Sequence, residues 1–525
     1  MKKLALSLAT SAVLLSGAAE AAIQVDANGL PVINPADTNI IYLSGASAAR
    51  KFMEELFTNS SVPAAEALCD STQPIWKYKD SINGKKQNAY LCTLSTANPA
   101  LAGLAKPNLL IYKRNEGGSA QGVAPVIADA KGLANSAIEF LKIDAAGCSL
   151  SAAPVAGTSL GQISCNYNLN DSTQYVMHTP DFGVSDVDPA QFRGGNRPNG
   201  FSDVSLNDIG LLTVQGVAAQ VFGIPVTTGL RNALQEAQVA AGKLPDTCVA
   251  GDETEKCMPS LSREQIASIY AGNIAKWSQF KFTDTNGNPQ DLFNFASSQP
   301  GSPIVHICRR VHGSGTQAQH GIKFLNYPCA DSATAPKEGN DGIPEFFGQS
   351  VVHQLSSSGD VTDCLNELDS GVDQPNGFAL NPAYTGGRWA VGIQALEKNA
   401  NLADSFRFIK VDGVAPTLAN VVNGSYYDWV ELTFQYAKNH AWAGDNKTIA
   451  DAAIASAGNP VVLAALNQKF VHTFGASGIL AVPTLYSATP ELDLARPVNP
   501  FTHATSTRGV DNCRIPTVFG TELQL

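Results

Sequence analysis

Charge is scarce in this 525-residue chain: Asp, Glu, Lys and Arg together make up 15% of it, against about 25% in an average globular protein. What charge there is leans acidic, at −11. No basic run interrupts it, which excludes nucleic acid and anionic membrane as electrostatically drawn partners. Any anion bound here has to be held by local groups. Beyond the N-terminal run, no stretch approaches the roughly 18 uninterrupted apolar residues of a spanning helix, so no membrane insertion is expected. No C-x-x-C occurs, which removes the spacing of zinc ribbons and thioredoxin-like sites. G-x-S-x-G, Walker A and H-E-x-x-H are missing too, and no paired carboxylates stand out, so the chain is not expected to be an enzyme. There is no internal repeat and no low-complexity tract.

What is present begins with an export signature. Lys2 and Lys3 form a charged n-region, Leu4 to Leu15 an apolar stretch, and Ala19-Glu20-Ala21 an A-x-A cleavage site. Residues 1–21 therefore read as a signal peptide, with the mature chain starting near Ala22. No cysteine stands at the cleavage point, so no lipid anchor is expected there, and the location is periplasmic or secreted. The leader carries one net positive charge, so cleavage takes −11 to −12. All ten cysteines lie in the mature part, and an even count in an oxidising compartment reads as disulfides. Pairing of sequence neighbours closes the shortest loops: 69–92, 148–165, 248–257, 308–329 and 364–513. Sequence alone leaves this connectivity open.

A hydrophobic content of 44% supports a large core, and roughly 500 mature residues leave room for two or three domains. One design recurs along the chain. "TNIIYLSGASAARKFMEELF" (38–57) reads as strand, Ser-Gly turn and helix, and "PNLLIYKRNEGGSAQGVAPVI" (107–127) as strand, Gly-Gly-Ser turn and helix. "SPIVHICRRV" (302–311) reads as a strand feeding "HGSGTQAQHGIKF", where Ser314 and Thr316 suit a helix start and two arginines stand close by. "DIGLLTVQGVAAQVFGIPV" (208–226) suits one or two buried strands. "LSREQIASIYAGNIAKWSQF" (261–280) reads as a helix with Ser262 and Gln265 in a capping box, and "NPVVLAALNQKFVHTFGASG" (459–478) as a helix stopping at glycine. Strands alternating with helices predict an α/β protein with mostly parallel sheet, whose ligands sit at the turns beyond the strands' carboxyl ends. Segments 145–174, 241–260, 283–301 and 329–345, rich in polar residues and glycine, read as surface insertions.

Together "LSGASAA", "DFGVSD" (181–186), "LSREQIASIYAGNIAKW" and "RRVHGSGT", in that order, resemble the phosphate-binding protein of ABC-type phosphate transporters, a type-2 periplasmic solute-binding protein. The resemblance spans residues 38 to 435 in patches. It implies a two-lobed α/β fold with the ligand cleft between lobes: lobe one from 22–214 plus 379–525, lobe two from 215–378. It implies inorganic phosphate or a related oxyanion as ligand, an ABC transporter membrane complex as partner, and no cofactor. By position it assigns ligand binding to Ser47, Ser119, Asp186, Arg310, Ser314, Gly315 and Thr316, with Asp186 accepting a proton of the bound anion. The sequence departs from the family at two places: Ala49-Arg50 replace a Thr-Phe, and His312 stands where the family has an aspartate beside its arginine. His306, His312 and His320 match no metal spacing, and "DTNGNPQD" (284–291) lacks the closing glutamate of a calcium loop, so no metal is expected. Two other readings stand beside phosphate binding: a secreted structural or interaction protein reusing the fold, and a phosphatase-like enzyme.

Overall fold

Ile40-Ile41-Tyr42-Leu43 is too short for a buried helix and is made of strand formers; it lies in β1, Thr38–Gly45. This computed structural model describes residues 23–519 apart from 83, 199, 341–347, 374–379, 383 and 506–508. The expected signal peptide and the expected lobe boundary at 378/379 lie outside these residues. After β1 comes helix α1, Arg50–Thr58, burying Phe52, Met53, Leu56 and Phe57. The second repeat of the design gives β2, Asn108–Arg114, and α2, Ala124–Ala130. Next are β3, Phe182–Ser185, and the long β4, Leu212–Thr227, within which the expected change of lobe at 214/215 falls. Ser262 and Gln265 form the anticipated capping box on α3, Arg263–Tyr270. Strand β5, His306–Arg310, precedes α4, Gly315–His320. Strand β6, Val351–Leu355, precedes α5, Ser358–Ser370. Strands β7, Ala390–Gly392, and β8, Trp429–Ala437, complete the frame.

The sheet is mixed rather than mostly parallel. Its order is β6–β5–β7–β4–β8–β3–β1–β2, continued by Gln87–Thr93, Trp76–Asp80, Gly161–Cys165 and Cys148–Ala152. Parallel pairing holds β6, β5 and β7 together at one end and β3, β1 and β2 at the other. Between them β4 and β8 run antiparallel to each other and to their flanking strands. Two large cores result. One packs Leu43, Phe52, Ile111, Phe182 and Phe434. The other packs Leu230, Ile266, Trp277, Ile307, Leu365 and Phe408. They make two lobes, with β4 and β8 passing between them. A smaller cluster at the junction, including Ala48, Ala120, Val187, Ala318 and Val430, draws on both. Among the described residues no single helix is long and apolar enough to cross a membrane.

Several expectations need correction. Residues 148–165 do not loop out: they add two strands to the sheet edge, because Ile163 and Leu150 alternate inward against a small core of Trp76, Tyr78 and Phe140. The late helix is Pro460–Asn467 and ends well before Gly478. Asn467 donates to Ile479 O at 2.7 Å and accepts from Ile479 N at 3.0 Å, folding the chain back on itself. All ten cysteines are paired, but only 69–92, 148–165 and 248–257 join sequence neighbours. The other two bonds are 308–364 and 329–513. Cys308 on β5 faces α5, which packs over that strand and carries Cys364, so tertiary contact outweighed loop length.

The Cys329–Cys513 bond closes a separation of 184 residues, against 9 for Cys248–Cys257. In the chain-entropy picture the long bond restricts the unfolded chain by about 5 kcal/mol and the short one by about 2.5 kcal/mol. Thermal denaturation of the double variants C329S/C513S and C248S/C257S should show the larger drop in the first. Equal drops would put the stabilisation elsewhere.

Candidate functional site

The turns after β1, β2, β3, β5 and β6 meet where the parallel strands of the two lobes end, the place where open α/β sheets present side chains to a ligand. All seven expected ligand-binding residues come together there, and all are buried. Arg310 Nη1 donates to Ser47 Oγ at 2.8 Å across the junction. Asp186 N donates to Ser119 Oγ at 3.1 Å, and Thr316 Oγ1 donates to Asp186 Oδ2 at 3.0 Å. Ser314 caps α4, its Oγ accepting from Gln317 N at 3.3 Å. Gly315 lies at the point of closest approach: a Cβ there would fall 2.8 Å from Ser119 Cβ and 2.9 Å from Asp186 Cβ. Gly118 has a φ of 75°, and a Cβ on it would fall 2.9 Å from Ser314 Cα. Gly118 lets the Gly-Gly-Ser turn approach the backbone of Ser314, and Gly315 leaves room for the Ser119 and Asp186 side chains.

Strand alternation sends the two arginines apart. Arg309 turns away and donates to Lys337 O. Arg310 turns in and donates through Nε to Leu355 O at 3.1 Å, through Nη2 to Ser356 O at 2.7 Å, and through Nη1 to Ser47 and Ser358 hydroxyls. Every one of these acceptors is neutral. Among the described residues no carboxylate lies within ion-pair distance of Arg310. Burial pushes its pKa down to about 10, against the more distant Asp186 and Asp360, so it is still a cation at neutral pH. Asp186 is the complement. Burial raises its pKa, against the Thr316 hydroxyl, Arg310, Ser119 and Lys113. Its Oδ1 is buried and accepts no hydrogen bond.

His312 is outside the site. Its Nδ1 meets Gly195 O, and its Nε2 lies 2.9 Å from Glu338. Ser358 belongs to the site but was not anticipated: its Oγ lies 3.1 Å from Arg310 Nη1 and its N–H donates to Ser47 Oγ at 3.1 Å. A signal existed, since "VVHQLSSSGD" is again strand, serine turn and capping box, with Ser357 and Asp360 capping α5. Lys113 is buried below the first turn, 3.1 Å from Gly45 O and 3.2 Å from Ala46 O, and burial lowers its pKa to about 7. The first turn's own helix is taken by another group. Glu397 accepts from Lys51 N at 3.0 Å and Phe52 N at 2.7 Å, so those N–H groups of α1 face a carboxylate of the protein itself.

No protein-family model matches the chain, and no curated protein matches it. Solved structures do. One, assigned as a phosphate ABC transporter substrate-binding protein with bound phosphate, from Clostridium perfringens, is 14% identical. It covers 82% of this chain and 98% of its own, with a TM-score of 0.36. PstS from Borrelia burgdorferi is 11% identical, covering 79% and 92% with a TM-score of 0.29. The ancestral soluble variant of the human phosphate binding protein is 14% identical, covering 79% and 85% with a TM-score of 0.35.

One brace behind the site is a histidine held between two carboxylates. His440 Nδ1 lies 2.7 Å from Asp129 on α2, and its Nε2 lies 3.2 Å from Asp181, which leads into β3. Burial lowers the imidazole's pKa, but the two carboxylates outweigh it and the net shift is upward. A folded pKa above the unfolded value of about 6.5 gives stability that is fully present below that value. It is lost as pH rises through the raised native pKa. The melting temperature should therefore fall as pH is raised from below 6.5 through the raised native pKa, and His440→Gln should flatten that slope. An equal slope in the variant would assign it to other groups.

Proposed function

We propose that the protein binds inorganic phosphate, or an oxyanion that likewise retains a proton, between its lobes. The observation that carries this is the fully buried Arg310 surrounded by neutral acceptors. A buried cation without a counter-charge is costly, and an anion placed beside the Ser47, Ser119, Ser314 and Ser358 hydroxyls removes that cost with charge-assisted hydrogen bonds. Asp186 then sets the choice among anions, because its unpartnered Oδ1 is an acceptor with no donor. A ligand O–H supplies one. The five disulfides and the N-terminal signature fit an exported solute-binding protein serving uptake through an ABC transporter or sequestration. The occupation of α1's N–H groups by Glu397 favours a second reading, a secreted interaction protein whose cleft is filled by its own side chains. Calorimetric titration of ligand-stripped protein decides between them. Phosphate should bind one per chain and sulfate at least tenfold more weakly; no heat and no retained radiolabelled phosphate would favour the second reading.

A further inference from the structure

A cavity of about 670 Å³ lies away from Arg310. Its walls include Arg263, Ile322, Lys323, Phe324, Tyr427 and Arg514. Lys323 reaches it from Gly321–Leu325, a π-helical turn directly after α4, a rare geometry that recurs at functional sites. Behind the lysine runs a relay. Its Nζ lies 3.0 Å from His503 Nε2, and His503 Nδ1 lies 2.6 Å from Glu431 Oε2. Glu431 Oε1 also accepts from Thr502 Oγ1 at 2.8 Å and His503 N at 2.7 Å, so this carboxylate is anchored. A carboxylate holding Nδ1–H leaves Nε2 as the imidazole's acceptor, aimed at the lysine. Carboxylate, imidazole and nucleophile in this order are the arrangement that activates hydroxyls and thiols elsewhere.

We propose that Lys323 is a nucleophilic amine that forms imines with small aldehydes or ketones bearing a carboxylate, bound in this cavity. The Nζ lone pair attacks the carbonyl carbon, the carbinolamine loses its oxygen as water, and a C=N bond remains. The proton shed by the ammonium has an acceptor in place at His503 Nε2. Arg263, held 3.7 Å over the Tyr427 ring, and Arg514 are the cations available to the ligand's carboxylate. Ile322 and Phe324 provide an apolar wall. Charged groups face Lys323 from every side: Asp428 just before β8, Glu431 on β8, Arg263 on α3, and His503, Asp511 and Arg514 on the C-terminal arm. Burial prevails over the two carboxylates and lowers the lysine's pKa to about 8. Burial also lowers that of His503, against Glu431, which favours the neutral imidazole. Burial alone would raise the pKa of Glu431, but His503 and the Thr502 hydroxyl hold it below the usual carboxylate range, so it stays ionised.

The test is reductive trapping of the intact protein with glyoxylate and cyanoborohydride, followed by peptide mapping. The hydride reduces the imine and leaves a carboxymethyl group on the nitrogen. At pH 7, Lys323 should be labelled at least tenfold faster than the exposed Lys243, since an amine titrating near 8 is far more often neutral than an ordinary lysine near 10.4. Its labelling rate should reach half-maximum well below the pH of about 10.4 at which an ordinary lysine titrates. His503→Gln should move that midpoint and slow Lys323 while Lys243 is unchanged. Labelling of Lys323 no faster than Lys243, or a midpoint near that of an ordinary lysine, overturns the proposal: the amine is then a buried structural cation.

Discussion

Arg310→Ala should raise the dissociation constant for phosphate by at least about a hundredfold, a loss of roughly 3 kcal/mol or more. The guanidinium turns into the junction with only neutral acceptors around it, and burial removes the water that would otherwise screen its charge. Arg309→Ala is the internal control. It sits one residue away on the same strand, is equally buried and faces Lys337 O instead, so its affinity should stay within about threefold of the native protein. Calorimetry on both variants, after checking that each is folded, measures the contrast. Similar small losses from both would remove Arg310 from the binding site and leave it a structural crossbar between Ser47 and Ser358.

Asp186→Asn should act on selectivity more than on affinity. In the native protein a fully deprotonated anion such as sulfate places its oxygens against Asp186 Oδ1, which has no donor to share, and the clash of two buried negative charges should cost several kcal/mol. Phosphate near neutral pH still has an O–H to give. The amide removes the negative charge and brings a donor of its own, so sulfate should gain on phosphate by at least about tenfold in a competition titration. An unchanged preference would mean that selectivity resides in the hydroxyls. The sign of the Asp186 shift matters to this test. Its pKa is raised by burial, so at low pH the native carboxyl becomes protonated and should itself begin to tolerate sulfate.

Local signals were legible where chemistry between near neighbours sets the structure. Ser314 caps α4 and Ser262 caps α3 because a hydroxyl three residues before a free N–H needs nothing from the rest of the fold. The same rule applied to Ser357 and Asp360 would have brought Ser358 into the site. What sequence could not carry depends on distant segments meeting. Glu397 reaches the first turn of α1 from more than three hundred positions away. Cys308 pairs with Cys364 because a helix lies over a strand, which loop-closure entropy does not register. The 459–478 pattern has helical spacing throughout, yet Asn467 ends the helix by binding a strand residue that no periodicity points to. The parallel order of β3, β1 and β2 and of β6, β5 and β7 followed from strand–turn–helix repeats. The antiparallel β4 and β8 at the junction did not, since a long apolar strand pairs equally well either way.

The bond between Cys329 and Cys513 also bears on how long a ligand would stay. Asn512, next to one sulfur, accepts from Asp188 N at 2.6 Å, and Cys513 Sγ lies 3.4 Å from Gln191 Oε1. Asp188 is two residues beyond Asp186. Cys329, on the other side, follows the helix and π-helical turn that begin at Ser314 and Thr316. The arm is thus a strap whose two ends hold the segments that carry Asp186 and Thr316. β4 and β8 join the lobes, and the strap fastens them at a third point. Lobes fastened at a far edge cannot swing wide. For an anion held beside Asp186, this fastening predicts a residence time that depends more on loosening of the Asn512–Asp188 contact than on opening of the lobes.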